Sequence, residues 1–153
     1  MKVRLLFTGK TEAGYVAEGT AFYVARISRS VPVEVVIVPE SRRKEPEARR
    51  KEEAQEVVRL LRPAERLVVL DERGRGLGSE AFAGQLGAWR DQGVRELAFL
   101  VGGAYGVDGS LRSKAALVLS LSPMTFPHQL VRVLFAEQLY RAFTILEGRP
   151  YHH

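Results

Sequence analysis

The sequence contains no cysteine, and its 153 residues include only one tryptophan and two methionines. Without cysteine the chain forms no disulfide, holds no zinc through thiolates and has no thiol nucleophile, and we expect no metal site. No uninterrupted apolar run is longer than five residues, whereas a membrane helix needs roughly 18–20. The first apolar stretch is also too short for a signal peptide. These absences predict a soluble cytoplasmic protein without a membrane partner.

Positive charge exceeds negative charge, since 23 lysine and arginine residues stand against 18 aspartate and glutamate residues, for a net charge of +5. Such an excess favours encounter with nucleic acid. The cations concentrate in residues 42–51, whereas residues 97–136 carry only four charges. The segment 42–51 is interpreted in two ways, as the solvated half of an amphipathic helix or as a face that contacts phosphates. The sequence leaves both open.

Short apolar runs alternate with stretches of helical length along the chain. Five runs rich in β-branched residues and leucine predict strands, and they are 3–7, 33–38, 67–70, 97–101 and 117–121. Four longer stretches predict helices, and they are 12–28, 45–61, 79–92 and the tail from 127. Strands separated by helices require crossover connections, and continuously apolar strands are typical of sheets covered on both faces. The sequence therefore predicts one α/β domain over residues 1–153, with a parallel-type sheet covered by helices.

The last predicted helix is unusual because apolar residues cover nearly all of its sides. Pro127 suits a first helical position, and Gly148 suits a carboxyl-terminal stop. A helix that is apolar all round must be buried all round, which is difficult within a chain of this length. A homodimer, in which a second subunit covers the helix, is therefore favoured over a helix that lies centrally within one chain.

Ligands of open α/β sheets bind beyond the carboxyl ends of the strands, where this sequence has three marked segments. They are 70–76, 102–106 and 119–128. The glycine pair at 102–103 lets a ligand approach the backbone closely, but its spacing matches neither a dinucleotide nor a nucleoside triphosphate motif. The loop 121–126 is apolar, so it fits either a flat ring such as adenine or a core crossing whose amides are bonded internally. The residues alone do not choose between these two.

Longer blocks that contain these segments resemble one family. The blocks are Phe-Leu-Val-Gly-Gly-x-x-Gly at 99–106, Leu-Ser-Leu-Ser-x-Met-Thr-Phe-Pro-His at 119–128, Leu-Val-Arg at 130–132, Glu-Gln-Leu-Tyr-Arg-Ala at 137–142 and Pro-Tyr-His at 150–152. In these blocks, and over essentially its whole length, the chain resembles the RlmH family of the SPOUT superfamily, which methylates N3 of a pseudouridine in 23S rRNA. Two positions depart from the family pattern, because Tyr105 occupies a variable pair and His153 stands where the family has lysine or arginine.

The resemblance implies a carboxyl-terminal trefoil knot, a homodimer, S-adenosyl-L-methionine as methyl donor, and 23S rRNA within the assembled ribosome as partner. By position it also implies the contacts to this cofactor. They come from Leu70, Gly102, Gly103, Leu121, Ser122, Pro123, Met124, Thr125 and Phe126. A SPOUT methyltransferase for another RNA position and a non-catalytic RNA- or nucleotide-binding module are the alternatives.

Methylation of a uracil N3 also needs an acceptor for the proton that leaves this nitrogen, and this need selects the catalytic candidates. His128 and His152 are the candidate bases, and His152 is expected to reach the site of a partner subunit. Arg132 and Arg141 can neutralise developing negative charge or a phosphate. Tyr151 can stack on the target base.

Overall fold

The computed structural model describes residues 1–153, which form five strands and five helices. The strands are β1 (Lys2–Thr8), β2 (Val33–Val38), β3 (Arg66–Gly76), β4 (Glu96–Val101) and β5 (Leu117–Ser120). The helices are α1 (Tyr15–Ile27), α2 (Pro46–Leu60), α3 (Ser79–Asp91), α4 (Gly109–Lys114) and α5 (His128–Leu146). None of these helices is both long enough and apolar enough to cross a membrane.

The five strands form one sheet in the order β2-β1-β4-β3-β5, and every neighbouring pair is parallel. Each strand is followed by a helix in the chain, so every return to the sheet is a crossover connection. This arrangement confirms the predicted α/β fold with a parallel sheet. Because all strands run in the same direction, their carboxyl ends lie along one edge, and the segments that follow them share that edge.

Apolar side chains cover both faces of the sheet. On one face the strands pack against α1, α3 and α5, and the rings of Phe99 and Phe135 lie 4.9 Å apart between centroids. On the other face a smaller cluster joins Leu6 and Leu100 to Val57 of α2 and Leu111 of α4. This double coverage explains why the strand runs are apolar without alternation.

Two elements differ from those predicted. Strand β3 is longer than predicted and ends at Gly76. Its pairing with β5 is interrupted after Leu70 and resumes at Arg75. The short helix α4 was not predicted, since six residues are too few to produce a helical period. Its start is marked by Asp108, whose carboxylate accepts a hydrogen bond from the Ser110 N–H at 3.1 Å.

Helix α5 packs against α1 and α3 and carries much of the larger apolar cluster. Its fully buried side chains include Phe135 and Leu139, whereas Leu130, Val133 and Leu134 are only half-buried. One protomer therefore covers only part of this apolar helix. The homodimer and the trefoil knot stay predictions.

Candidate functional site

A cavity of about 650 Å³ opens at the carboxyl edge of the sheet. Its 20 lining residues come from three strand ends, and half of them are hydrophobic. They belong to residues 70–73 within β3, to residues 101–107 at and after the end of β4, and to most of the segment 119–131, which runs from the end of β5 into the first turn of α5. The three segments marked in the sequence therefore meet at one cavity, whose size is that of small-molecule sites.

The glycine turn after β4 forms one wall of this cavity. A Cβ atom at Gly102 would lie 2.6 Å from Cγ2 of Val107 and 3.1 Å from the Gly106 carbonyl, so no side chain fits there. Gly106 has a φ of +83°, and its N–H donates to the Gly103 carbonyl at 3.0 Å. The wall at this point is consequently bare backbone, which a ligand can approach closely.

The loop after β5 forms the opposite wall and is held by its own polar groups. The Ser120 hydroxyl donates to the Ser122 carbonyl at 2.8 Å, and the Ser122 hydroxyl accepts from the Met124 N–H at 3.1 Å. Leu121 and Phe126 are half-buried against the cavity, and Met124 is 72% exposed. The loop is therefore not a buried core crossing, because its apolar side chains line an open space.

Charged residues that follow Leu70 complete the lining. The Asp71 carboxylate accepts from the backbone N–H of Arg73 at 2.9 Å and from the Arg112 guanidinium at 3.4 Å. Burial raises the pKa of Asp71, but the bonds from Arg73 outweigh this effect and the net pKa is lowered. The Thr125 hydroxyl donates to the Glu72 carboxylate at 2.5 Å and thereby links the loop after β5 to the segment that follows Leu70.

Most of the predicted cofactor residues lie at this cavity. The lining includes Leu70, Gly102, Gly103, Leu121, Ser122, Met124, Thr125 and Phe126. Pro123 is exposed and does not line it. Asp71, Glu72 and Arg73 also line the cavity; they lie in the marked segment 70–76, of which only Leu70 was predicted to contact the cofactor.

His128 is the only predicted catalytic residue in the lining. It is the first residue of α5 and is half-buried. Burial lowers the pKa of its imidazole, and the nearby charge of Arg132 lowers this pKa further. The imidazole is therefore neutral near pH 7 and keeps one ring nitrogen free to accept a proton.

Arg132, expected to neutralise charge on the substrate, is instead 0% exposed and lies outside the lining. Its guanidinium donates to the carbonyls of Thr8 at 2.6 Å and Gly9 at 3.0 Å, and to the Thr11 hydroxyl at 2.9 Å. Gln129, one turn earlier, bonds to Lys10 and Glu12 of the same loop. Arg132 thus fastens the loop after β1 to α5, and its guanidinium does not reach the cavity.

The carboxyl-terminal tail lies apart from the cavity. The Tyr151 hydroxyl donates to Glu137 at 2.9 Å, and an Arg141 N–H donates to Nδ1 of His152 at 3.2 Å. Burial and the bond to Glu137 raise the pKa of Tyr151. Glu137 is nine residues beyond His128 on α5, which at 1.5 Å per residue is roughly 13 Å along the helix. The structure therefore does not bring Tyr151, His152 or Arg141 to the cavity of their own chain.

Comparisons with known proteins give matches over nearly the whole chain. A family model described as "Predicted SPOUT methyltransferase" matches residues 1–152. The chain is 48% identical over 153 residues to ribosomal RNA large subunit methyltransferase H of Geotalea uraniireducens (strain Rf4), and the match covers 100% of both chains. It is 46% identical over 158 residues to the protein of that name in Rhizobium leguminosarum bv. trifolii (strain WSM2304), covering 99% of each.

Two solved structures have a similar fold. A probable methyltransferase from Bordetella pertussis Tohama I matches with a TM-score of 0.56 and 18% identity, over 92% of this chain and 95% of that one. A probable methylase family protein from Haemophilus influenzae Rd KW20 matches with a TM-score of 0.53 and 14% identity, over 99% of this chain and 70% of that one. At such low identities these structures support the fold alone.

Proposed function

The chain belongs to the SPOUT methyltransferase family, and from that premise we propose that it methylates large-subunit ribosomal RNA with S-adenosyl-L-methionine as the methyl donor. The proposed target atom is N3 of a pseudouridine in 23S rRNA of the assembled ribosome. The single domain 1–153 carries the whole activity. The observation that carries this proposal is the cavity of about 650 Å³ formed where three distant strand ends meet.

The residues of the cavity fit an adenosyl group. One wall is bare glycine backbone, where a Cβ atom at Gly102 would collide with Val107. The other wall presents Leu121 and Phe126, whose apolar surfaces suit the faces of a heteroaromatic ring. Asp71, whose lowered pKa keeps its carboxylate ionised, lines the same cavity and is paired with Arg73 and Arg112. We propose that Leu70, Gly102, Gly103 and the loop 121–126 hold the methyl donor.

When bound, S-adenosylmethionine supplies a methyl group on a positively charged sulfur. The chain itself must orient the base, exclude water and accept the N3 proton. His128 has a neutral imidazole at the cavity, so a ring nitrogen there is available as the proton acceptor. We assign it the role of base within its own chain.

His152 needs a rearrangement before it can take a proton. An arginine N–H only donates, so Nδ1 of His152 accepts from Arg141 and the remaining proton lies on Nε2. The lone pair becomes available only when Arg141 withdraws. We propose that this release occurs when the tail, with Tyr151 and His152, enters the cavity of a partner subunit in a homodimer. The half-buried apolar residues of α5 support such a dimer.

The test follows methyl transfer from radiolabelled S-adenosylmethionine to ribosomes that lack the modification, with mass spectrometry to locate the methylated nucleotide. We expect one methyl group at N3 of a 23S pseudouridine. A methyl group at another nucleotide would replace the proposed target. No transfer to any RNA, together with no calorimetric binding of the donor, would overturn the function.

The tail is tested with His152→Ala. This variant should lower kcat by about tenfold or more, since general acid–base groups typically contribute at least that much. Donor affinity should stay within about twofold, because the proposed contacts to the donor come from Leu70, Gly102–Gly103 and the loop 121–126 and not from the tail. His153→Ala is the matched control, since His153 is the exposed last residue and lies outside the cavity lining. Equal kcat for the two variants would remove His152 from the mechanism.

A further inference from the structure

At the carboxyl edge of the sheet, the ends of β2 and β1 lie outside the cavity. The cavity lies beyond β4, β3 and β5, whereas the basic segment, residues 42–51, follows β2 at the opposite end of the strand order. Strand β2 is two positions from β4, which places it about 10 Å away at ordinary strand spacing. The basic segment and the cavity therefore share one edge of the molecule.

We infer that the basic segment and Tyr105 form one RNA-binding surface, on which Tyr105 stacks against a base and Arg42, Lys44 and Arg50 contact phosphates. The inference rests on the proposed function, because it assumes that the strand entering the cavity is rRNA. It assigns to this surface the recognition of substrate RNA, and it assigns to the cavity the recognition of the methyl donor.

The first support is the pattern of charge pairing. The basic segment has six cations, of which three pair with carboxylates, as Arg43–Glu52 at 2.7 Å, Arg49–Glu40 at 2.7 Å and Lys51–Glu47 at 3.2 Å. Arg42, Lys44 and Arg50 have no carboxylate oxygen within 4.0 Å. At the other edge of the sheet, Lys2, Arg4 and Arg62 are paired with glutamates, whereas Arg66 and Arg95 are not. The basic segment is distinguished by three unpaired cations within ten residues. Unpaired cations beside the cavity are free to bind phosphate.

The second support is the position of Tyr105. It lines the cavity yet is 49% exposed, so about half of its surface remains accessible to a partner from solvent. The guanidinium of Arg49 lies 5.2 Å from the centroid of this ring. Arg50 donates to the Tyr105 carbonyl at 3.4 Å, a contact between residues 55 positions apart. The start of α2 is thus tied to the rim of the cavity.

Together these contacts place one arginine over a partly exposed aromatic ring and a second arginine at the backbone of the same residue. Aromatic rings combined with cations are the usual composition of sites that bind single-stranded nucleic acid. A merely solvated helix face would need no contact with the cavity rim. The later part of α2 fits that description, because the ion pair and the hydrogen bond of Arg59 are both to Glu56 of the same helix. The basic segment differs from it in both charge pairing and position.

The test measures binding of the full-length protein to 70S ribosomes by co-sedimentation at several salt concentrations. The triple variant Arg42→Ala, Lys44→Ala, Arg50→Ala should bind about tenfold or more weakly. Its slope of log affinity against log salt should fall by about two, since three phosphate contacts are lost. Tyr105→Ala should weaken binding by about five- to hundredfold, whereas Tyr105→Phe keeps the ring and should bind normally.

The matched control is Arg29→Ala, Arg59→Ala, Arg95→Ala, which removes the same charge from exposed positions elsewhere on the surface. The inference would be overturned if the two triple variants weakened ribosome binding equally. It would also be overturned if the variant Arg42→Ala, Lys44→Ala, Arg50→Ala bound ribosomes as tightly as the wild-type protein. Donor binding by calorimetry should be unchanged in both. Wild-type protein that binds ribosomes through this surface but transfers no methyl group would contradict the proposed function and leave this inference standing.

Discussion

At the scale of single residues, Arg132 is the position whose surroundings differ most from those that its predicted role requires, because it is buried and lies outside the cavity lining. Its guanidinium is buried against the ring of Phe7 and bonds to the loop after β1, more than 120 residues earlier in the chain. The sequence marks an arginine in a recognised block, but it does not show which distant carbonyls this arginine meets. His128, four residues earlier on the same helix, does line the cavity, and its role as a base stays a prediction.

The anchoring role of Arg132 predicts a loss of stability on substitution. Arg132→Met keeps the apolar stem but leaves two carbonyls and a hydroxyl without their donor, so the free energy of unfolding should fall by about 3 kcal/mol. Arg149→Ala, in an exposed pair with Glu147, should change it by less than ~1 kcal/mol. Urea unfolding measures both. Full stability of Arg132→Met with abolished methyl transfer would make Arg132 catalytic after all.

At the scale of elements, the path of β3 determines one side of the cavity. After Leu70 the strand leaves β5, and it pairs again where Arg75 meets Leu119 and Gly76 meets Ser120. Between them Gly74 lies so close to β5 that a Cβ atom would overlap the Val118 carbonyl. The apolar run predicted the strand up to residue 70, but the second pairing depends on a distant strand and leaves no periodic pattern.

The closeness of Gly74 to β5 predicts that Gly74→Ala is destabilising. The added methyl group must push the two strands apart, which should cost about 1–3 kcal/mol and lower donor affinity, because Asp71–Arg73 line the cavity. Gly84→Ala is the matched control, since Gly84 lies in α3 with open space at its Cβ position. It should stabilise the helix by about 0.5–1 kcal/mol. Thermal unfolding with donor calorimetry checks both, and a neutral Gly74→Ala would contradict the strand contact.

At the scale of the whole molecule, the sequence predicts the fold class well, and it predicts poorly which side chains are exposed and which distant residues they contact. The parallel α/β sheet and the family resemblance are confirmed, because strand and helix periods and contiguous motif blocks are local properties. The exposure of Met124 and the position of Tyr151 beside Glu137 depend on how distant segments pack. The trefoil knot and the homodimer stay predictions. A knot depends on how one segment passes through a loop formed by others, and a dimer depends on a second chain, so local sequence patterns indicate neither.

The central claim is that the three strand ends form one site for the methyl donor. A crystal structure of the protein with S-adenosylmethionine tests it most directly. The account predicts density for the adenosyl group between Gly102–Gly103 and the loop 121–126, with Leu70 in contact. Ligand density at any other surface, or a cavity closed by its own side chains at saturating ligand, would contradict it.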